Sequence, residues 1–186
     1  MQKEQIIPKD NITSALGKSA GMSAQVHPSG RYVAECFGAD GKLKWRDTIE
    51  NLVTTVGKND ALDKYFEGSS YTAAWYMGLV DAATTPTYAA ADTMASHAGW
   101  TESAAYANAT RPAAVWSAAA AASKALSTAL SFNINASATI GGCFMVTNST
   151  KSGTTGILYS CGNFTGGNKA VASGDTLNVS YTSSLT

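Results

Sequence analysis

Charge is scarce in this sequence of 186 residues. Charged residues make up 14% of the chain, against about a quarter in an average soluble protein, and 13 basic residues balance 13 acidic ones. A nucleic-acid-binding protein needs a basic field over its surface. The zero net charge therefore argues against a nucleic-acid partner.

The few charges are also unevenly placed along the chain. Residues 1–67 hold nine basic and nine acidic residues. The remaining residues hold only four of each, namely Arg111, Lys124, Lys151, Lys169, Asp81, Asp92, Glu102 and Asp175. A surface with so little charge is typical either of a protein that works inside an assembly or of a soluble domain covered by Ser and Thr.

Cysteine and histidine are also few and widely spaced. The cysteines are Cys36, Cys143 and Cys161, and neither His27 nor His97 lies within four residues of one of them. Zinc sites usually need such residues clustered at short spacing, so we expect no metal and no cofactor. The cysteines are either three reduced thiols or a Cys143–Cys161 disulfide that leaves Cys36 for an intermolecular bond.

Motifs of catalysis are missing as well. The chain has neither a G-x-S-x-G elbow nor a phosphate-binding loop with the required glycine spacing. Glycosidases need two carboxylates that face one cleft, and two of the four acidic residues in the β-rich part fit a turn (Asp175) and a helix cap (Asp92). We therefore expect no catalytic residues and no enzymatic activity.

Long apolar runs are absent too. No run approaches the ~20 residues of a membrane helix, and the N-terminal segment lacks the apolar core of a signal peptide. We expect synthesis in the cytoplasm and no membrane partner.

The patterns that are present predict an arm followed by one domain. Residues 1–29 show no sustained period and are interpreted as an extended N-terminal arm. Residues 30–186 are expected to form the domain, beginning with a hairpin over 31–46 around the Asp40-Gly41 turn signal. Lys42, Lys44 and Arg46 alternate along its second strand and share one face. This basic stripe is either a candidate interface for an acidic partner or a solvated face.

One helix is predicted, over residues 47–66. Ile49, Leu52, Val53 and Val56 follow the i, i+3, i+4, i+7 spacing of a helical stripe, and Asp47 with Glu50 resembles a capping box. We expect Leu62, Tyr65 and Phe66 to continue this apolar face.

The rest of the chain predicts strands, over 71–81 and 113–183. Residues 71–81 carry apolar side chains on both faces, which fits a strand covered on both sides, and a long link follows over 82–112. The alanine run favours a turn over 118–123 between a strand at 113–117 and a returning strand at 124–135, because the apolar residues that follow it alternate with period two. The fold class is therefore mainly β, an antiparallel β-sandwich or jelly-roll-like domain with one N-terminal helix.

Two stretches, "GKLKWRDTIENLVTTVGKNDALDKYFEGSSYTAAWYMGLV" and "ADTMASHAGWTESAAYANATRP", resemble a group of tailed-bacteriophage proteins. In that group a K-W hairpin leads into N-L-V and D-K-Y-F segments, and a D-T-M-x-S-H-x-G-W-T-E box follows. The segment over about residues 135–182 is also similar. The resemblance implies a virion structural protein. We hypothesise a capsid decoration (cement) protein on the capsid surface, with the major capsid protein and copies of itself, as a dimer or trimer, as partners.

A second hypothesis is a tail-fibre or receptor-binding module, and a head–tail adaptor is a third. For receptor binding, exposed Tyr88, Trp100 and Tyr106 would suit a saccharide, and Trp100 and Tyr106 are candidate interface residues in either setting. Against a fibre, the sequence has no long shaft of coiled coil or repeated β segments.

Overall fold

The structure is a computed structural model that describes residues 26–68 and 74–186. These residues form one α-helix, a π-helical turn over Asp63–Glu67 and eleven strands. In chain order the elements are β1 (Pro28–Phe37), β2 (Leu43–Glu50), β3 (Leu52–Val53), α1 (Thr55–Leu62), β4 (Tyr76–Asp81), β5 (Glu102–Ser103), β6 (Ser123–Ala125), β7 (Leu130–Asn133), β8 (Ala138–Val146), β9 (Leu158–Asn163), β10 (Lys169–Val171) and β11 (Thr176–Leu185).

The strands form two antiparallel sheets, as the alternating patterns predicted. Sheet 1 has the order β2-β1-β11-β6, with β7 also paired to β11. Sheet 2 has the order β3-β9-β8-β4-β5, with β10 paired to β8. The chain is mainly β and has a sandwich architecture.

Sheet 2 is buried on both faces. Its inner face packs on sheet 1 through side chains such as Met77 and Cys143. Its outer face carries Phe144 and Val146, which the link between β4 and β5 covers with Met94 and Trp100. The prediction of a strand covered on both sides is confirmed for β4. Each fully buried large apolar side chain in these layers contributes about 1.5–3 kcal/mol.

Each edge of sheet 1 accepts a backbone hydrogen bond from another part of the chain. Along β2, Thr165 N–H donates to the Thr48 carbonyl at 2.8 Å. At the opposite edge, Ala107 N–H donates to the Asn133 carbonyl at 2.7 Å. The backbone groups of these edge strands are therefore partly paired within the chain.

The predicted helix over 47–66 is wrong in its first half. Asp47 and Ile49 lie in β2, Val53 lies in β3, and α1 begins only at Thr55. Ile49 is fully buried between the sheets, and ladder pairing to β1 satisfies the backbone there. The apolar spacing that suggested one helical stripe is thus divided between two sheets and a short helix. Thr54 caps α1, accepting a hydrogen bond from Gly57 N–H at 3.1 Å.

The predicted hairpin is present and longer than expected. β1 and β2 pair from Arg31↔Glu50 to Phe37↔Leu43. The turn differs from the two-residue form that Asp40-Gly41 suggested, because only Gly41 has a positive φ, at 75°, and the Gly38 N–H bonds the Lys42 carbonyl. The connection is therefore a wider loop that uses Gly41 in the left-handed region.

The alanine segment forms the predicted turn in a tighter form. Ala121 and Ala122 have φ of 49° and 55°, and Ala120 and Ser123 exchange both backbone hydrogen bonds. Residues 113–117 make only isolated bridges instead of the predicted strand. The returning strand is split into β6 and β7, both of which pair with β11.

The predicted arm falls mostly on residues 1–25, which lie outside the described part of the chain. Its boundary at residue 29 is wrong, because β1 begins at Pro28. Ahead of that strand, His27 N–H already donates to the Thr186 carbonyl at 2.7 Å.

Candidate interaction surfaces

The basic stripe on β2 is electrically compensated. Lys42 Nζ lies 3.3 Å from an Asp40 carboxylate oxygen, and Arg46 Nε lies 3.4 Å from Glu35. Lys44 reaches Asp175 with an N···O distance of 2.5 Å. Because each cation has a carboxylate partner within the chain, the stripe does not present the uncompensated positive face that an acidic partner would need.

Asp175, which Lys44 contacts, is a structural anchor. Its side chain is almost fully buried, and it also accepts from Ala172 N–H at 2.8 Å. Burial would raise the pKa of this carboxyl, but the hydrogen bonds from Lys44 and Ala172 outweigh burial and hold the pKa below its ordinary value. Asp175 therefore stays ionised in the folded protein and ties the turn before β11 to β2.

Asp47 forms a second anchor of the same kind. Its carboxylate lies 2.7 Å from Lys169 Nζ and accepts the Thr48 N–H at 2.7 Å. Burial again opposes ionisation, and the contacts with Lys169 and Thr48 prevail, so the pKa of Asp47 is lowered. The predicted capping role of Asp47 is wrong, because the residue joins β2 to the segment that leads into β10.

The two candidate aromatic interface residues are buried. Trp100 is 4% exposed and Tyr106 is 0% exposed. The indole N–H of Trp100 donates to Asp92 Oδ2 at 3.1 Å, and the Tyr106 hydroxyl donates to Glu102 Oε1 at 3.1 Å. Their polar atoms are satisfied inside the chain, so the expectation that these rings face a partner or a saccharide is wrong. Tyr88 is half-buried, and its hydroxyl donates to Asn163.

Sequence reasoning missed a buried ion pair. Arg111 is 1% exposed, and its guanidinium holds Glu102 with two contacts, Nη2–Oε2 at 2.7 Å and Nε–Oε1 at 3.0 Å. The same guanidinium donates to the carbonyls of Asn148 and Gly153, and Ser152 N–H donates to Glu102. Removing water from both charges is costly unless every donor is matched, and here the matching fastens the 102–111 segment to the 148–153 loop.

Arg111 and Glu102 belong to a general pattern. All eight charged residues that follow residue 67 make a hydrogen bond or ion pair within the chain. The signal available in the sequence was their rarity in this part of the chain. The scarce charges therefore hold loops in place and are not left over for a ligand.

A small cavity lies beside the ion pair. It has a volume of about 240 Å³ and is lined by residues that include Met94, His97, Glu102 and Thr154. His97 stacks on Trp100 with ring centroids 4.0 Å apart. Glu102 is the carboxylate at this cavity, and both of its oxygens already accept hydrogen bonds. The carboxylate at this cavity is therefore already engaged within the chain.

The cysteines are free and buried. In the β8–β9 register, Cys143 lies opposite Gly162 and Cys161 lies opposite Phe144. Cys143 therefore points into the core between the sheets and Cys161 into the outer core, a geometry that cannot be bridged in this register. Burial raises the pKa of Cys36 to about 11 and that of Cys161 to about 12, so these thiols are protonated at neutral pH.

Three exposed apolar side chains lie at and after the end of α1. Leu62, Tyr65 and Phe66 are 54%, 82% and 75% exposed, and the two rings pack edge to face at 4.9 Å. We call these three residues the α1 patch. The expectation that they bury a continuous helical stripe is wrong, because the helix gives way to a π-helical turn at Asp63 and these side chains face outward.

The described part of the chain contains neither a membrane-spanning helix nor a metal-binding cluster. Over residues 26–68 and 74–186, no helix is both long and apolar enough to cross a bilayer. Over the same ranges, no three His, Cys, Asp or Glu side chains are grouped so that they could hold a metal ion.

Comparison of the chain with protein-family models and with curated proteins finds no match.

Proposed function

We propose that this chain is a structural component of a tailed-phage virion, a decoration protein that binds the capsid surface and bridges capsid subunits. The proposal rests on one observation: the two segments that resemble tailed-phage proteins are used differently in the fold. Tyr65 and Phe66, in the D-K-Y-F segment, are exposed. Trp100 and Glu102, in the D-T-M-x-S-H-x-G-W-T-E box, are used internally. One motif builds the domain, and the other is free to meet a partner.

The chemistry of the surface supports a mechanical role. The charges of the β-rich part are already bonded within the chain, and the α1 patch holds three of the seven large apolar side chains that are exposed among the described residues. Three side chains give only a weak contact. A decoration protein binds a shell through many identical copies, and repeated weak contacts add up through multivalency.

The receptor-binding alternative loses its main argument, since Trp100 and Tyr106 are buried. A saccharide site needs exposed aromatic faces, and only half-buried Tyr88 remains of the three rings that suggested one.

Gold-labelled antibody against the chain, applied to intact particles of the phage that encodes it, tests the proposal by electron microscopy. Label spread over the head is the expected result. Label confined to the tail tip would favour receptor binding, label at the neck would favour an adaptor, and either would overturn the decoration proposal.

A second experiment tests the contact itself. Particles are produced with the Tyr65→Ser/Phe66→Ser protein, and the copies retained per particle are counted by quantitative mass spectrometry. We expect retention to fall, because the apolar contact with the shell is lost. The control is Leu43→Ser, which removes an exposed apolar side chain (54%) at the far end of the β1–β2 hairpin. Equal retention of both variants would assign the shell contact to another surface.

A further inference from the structure

The face of sheet 1 that points away from sheet 2 carries four charged side chains on two neighbouring strands. The β1–β2 register places Arg31 opposite Glu50 and Glu35 opposite Arg46. Tyr32, the next residue along β1, is fully buried between the sheets. Because successive side chains of a strand point to opposite faces, the four charged side chains lie together on the outward face.

These charges alternate in sign along both strands. On β1 the cation Arg31 is followed four residues later by the anion Glu35, and on β2 the order is reversed. The paired side chains are 3.1 Å and 3.4 Å apart, and the two pairs lie about 14 Å from each other along the strands. A partner with charge of one sign would therefore meet repulsion at half of these positions.

Short side chains fill the space between and beside the two charged pairs. Val33 lies midway between them, with Thr48 opposite it on β2 and Ser180 opposite it on β11. Asn178 and Thr182 continue the surface along β11 and are half-buried. We call the surface formed by these residues and the four charged side chains the outer face of sheet 1. Short side chains allow a second sheet to pack on it at about 10 Å.

A two-fold rotation makes the outer face of sheet 1 complementary to itself. The axis passes through Val33, lies in the plane of the contact and runs perpendicular to the strands, so each strand covers the same strand of the second copy in the reverse direction. Arg31 then meets Glu35 of the second copy, and Arg46 meets Glu50 of the second copy. Each contact forms twice by symmetry, as in an isologous interface, and no like charges face each other.

The shape and the area of the outer face suit the same arrangement. A groove of about 420 Å³ lies over one charged pair and is lined by residues that include Arg31, Glu50 and Thr182. The rotation places Glu35 and Arg46 of the second copy over this groove. Four strands about 4.8 Å apart and about 25 Å long offer on the order of 500 Å² from each copy. The total of about 1,000 Å² reaches the lower limit for a specific interface.

We infer that the protein forms a two-fold symmetric dimer in solution through the outer face of sheet 1, with Arg31 against Glu35 and Arg46 against Glu50 of the second copy. A second copy is the occupant that the pattern favours, because it carries the matching alternation of charge. The dimer is a property of the purified chain and does not rest on the proposed function. Its test needs no phage particle, so its failure is distinct from a failure of the immunogold experiment.

Sedimentation velocity of the purified full-length protein tests the dimer. A dilution series that extends to about 1 mM should show a reversible equilibrium between monomer and dimer. Arg31→Glu/Glu50→Arg keeps an ion pair within the chain and leaves the net charge unchanged, but it places like charges opposite each other across the two-fold axis. We expect the dissociation constant of the dimer to rise about tenfold or more.

Reversal of the second pair in the same chain provides a rescue. When Glu35→Arg/Arg46→Glu is added to the first variant, the alternating pattern is restored, and the dissociation constant should return close to that of the parent protein. The control is Asp40→Lys/Lys42→Asp, which reverses an exposed pair in the β1–β2 turn and should leave the dissociation constant unchanged.

Val33→Lys provides a second way to break the dimer, because it places two cations together on the axis. Dimerisation should be lost in this variant while circular dichroism shows the fold of the parent protein. The inference is overturned if the parent protein stays monomeric throughout the series or forms an oligomer other than a dimer. It is also overturned if the folded variants dimerise as tightly as the parent protein, or if reversal of both pairs fails to restore the dimer.

Discussion

The described residues up to 67 and the residues from 74 onward differ in how exposed some of their ion pairs are. In the first region, pairs such as Arg31–Glu50 and Arg46–Glu35 lie on the surface with more than half of each cation exposed. In the second region, Arg111 and Glu102 form a pair whose side chains are 0% and 4% exposed. The comparison teaches that ion pairs in the charge-rich region can lie on the surface, with Asp47 as a buried exception, whereas a rare pair such as Arg111–Glu102 fastens two loops inside the fold.

The strongest test of this comparison is to remove one cation from each region and compare the losses of stability. Arg111→Met leaves Glu102 buried without its partner, which should cost about 3–5 kcal/mol of unfolding free energy. Arg46→Met removes an exposed pair and should cost less than about 1 kcal/mol. Urea unfolding of the two variants measures the difference. Similar losses would mean that Arg111 is not a structural residue.

Acid should next distinguish buried from exposed carboxylates. The pKa values of Asp175 and Asp47 are lowered in the folded state. Their contribution is therefore fully present above the unfolded pKa of about 4 and is lost as the pH falls through the folded pKa.

The thermal midpoint, followed from pH 7 to pH 2, measures this loss. Asp175→Asn should lower the midpoint at pH 7 and flatten its fall below about pH 4. Glu50→Gln, which alters an exposed pair with Arg31, should leave the acid profile unchanged. An Asp175→Asn profile parallel to that of the parent protein would contradict the role assigned to this carboxylate.

Two loops extend the comparison to backbone conformation, because each region places residues at positive φ. The first region places Gly41 in the left-handed conformation, whereas the second places Ala121 and Ala122 there, at a cost of about 1–2 kcal/mol each. The double variant Ala121→Asn/Ala122→Gly should therefore stabilise the protein by about 1 kcal/mol. Gly41→Ala should destabilise it by a similar amount. Calorimetry should show midpoints that move in opposite directions, and a lower midpoint for the double variant would refute the turn geometry.

The smallest expected effect on stability is at the α1 patch. Tyr65→Ser/Phe66→Ser alters side chains that are mostly exposed, and it should change the unfolding free energy by no more than about 0.5 kcal/mol per site. Trp100→Ala, which empties a buried site against Phe144, should cost about 3–5 kcal/mol. Chemical denaturation of both variants provides the test. A large loss at the patch would show that its rings support the fold.

Sequence reasoning found what depends on local alternation and missed what depends on distant partners. The period-two patterns predicted the two-sheet architecture, and the apolar faces of residues 71–81 predicted a strand covered on both sides. The helix was placed too early because Ile49 and Val53 fit a helical spacing, although long-range pairing draws them into β2 and β3. The bond between Arg111 and the carbonyls of Asn148 and Gly153 spans about 40 positions, so no local pattern reports it.

The backbone hydrogen bonds at the two edges of sheet 1 affect how the protein can associate with another chain. A free strand edge is a template on which another chain can add in register, and such addition leads to cross-β fibrils. Here Thr165 and Ala107 already bond the outer strands, which blocks addition at those positions. A second chain is thus hindered from pairing its backbone with these positions. Any association there must then use side chains, and contacts of that kind can be released.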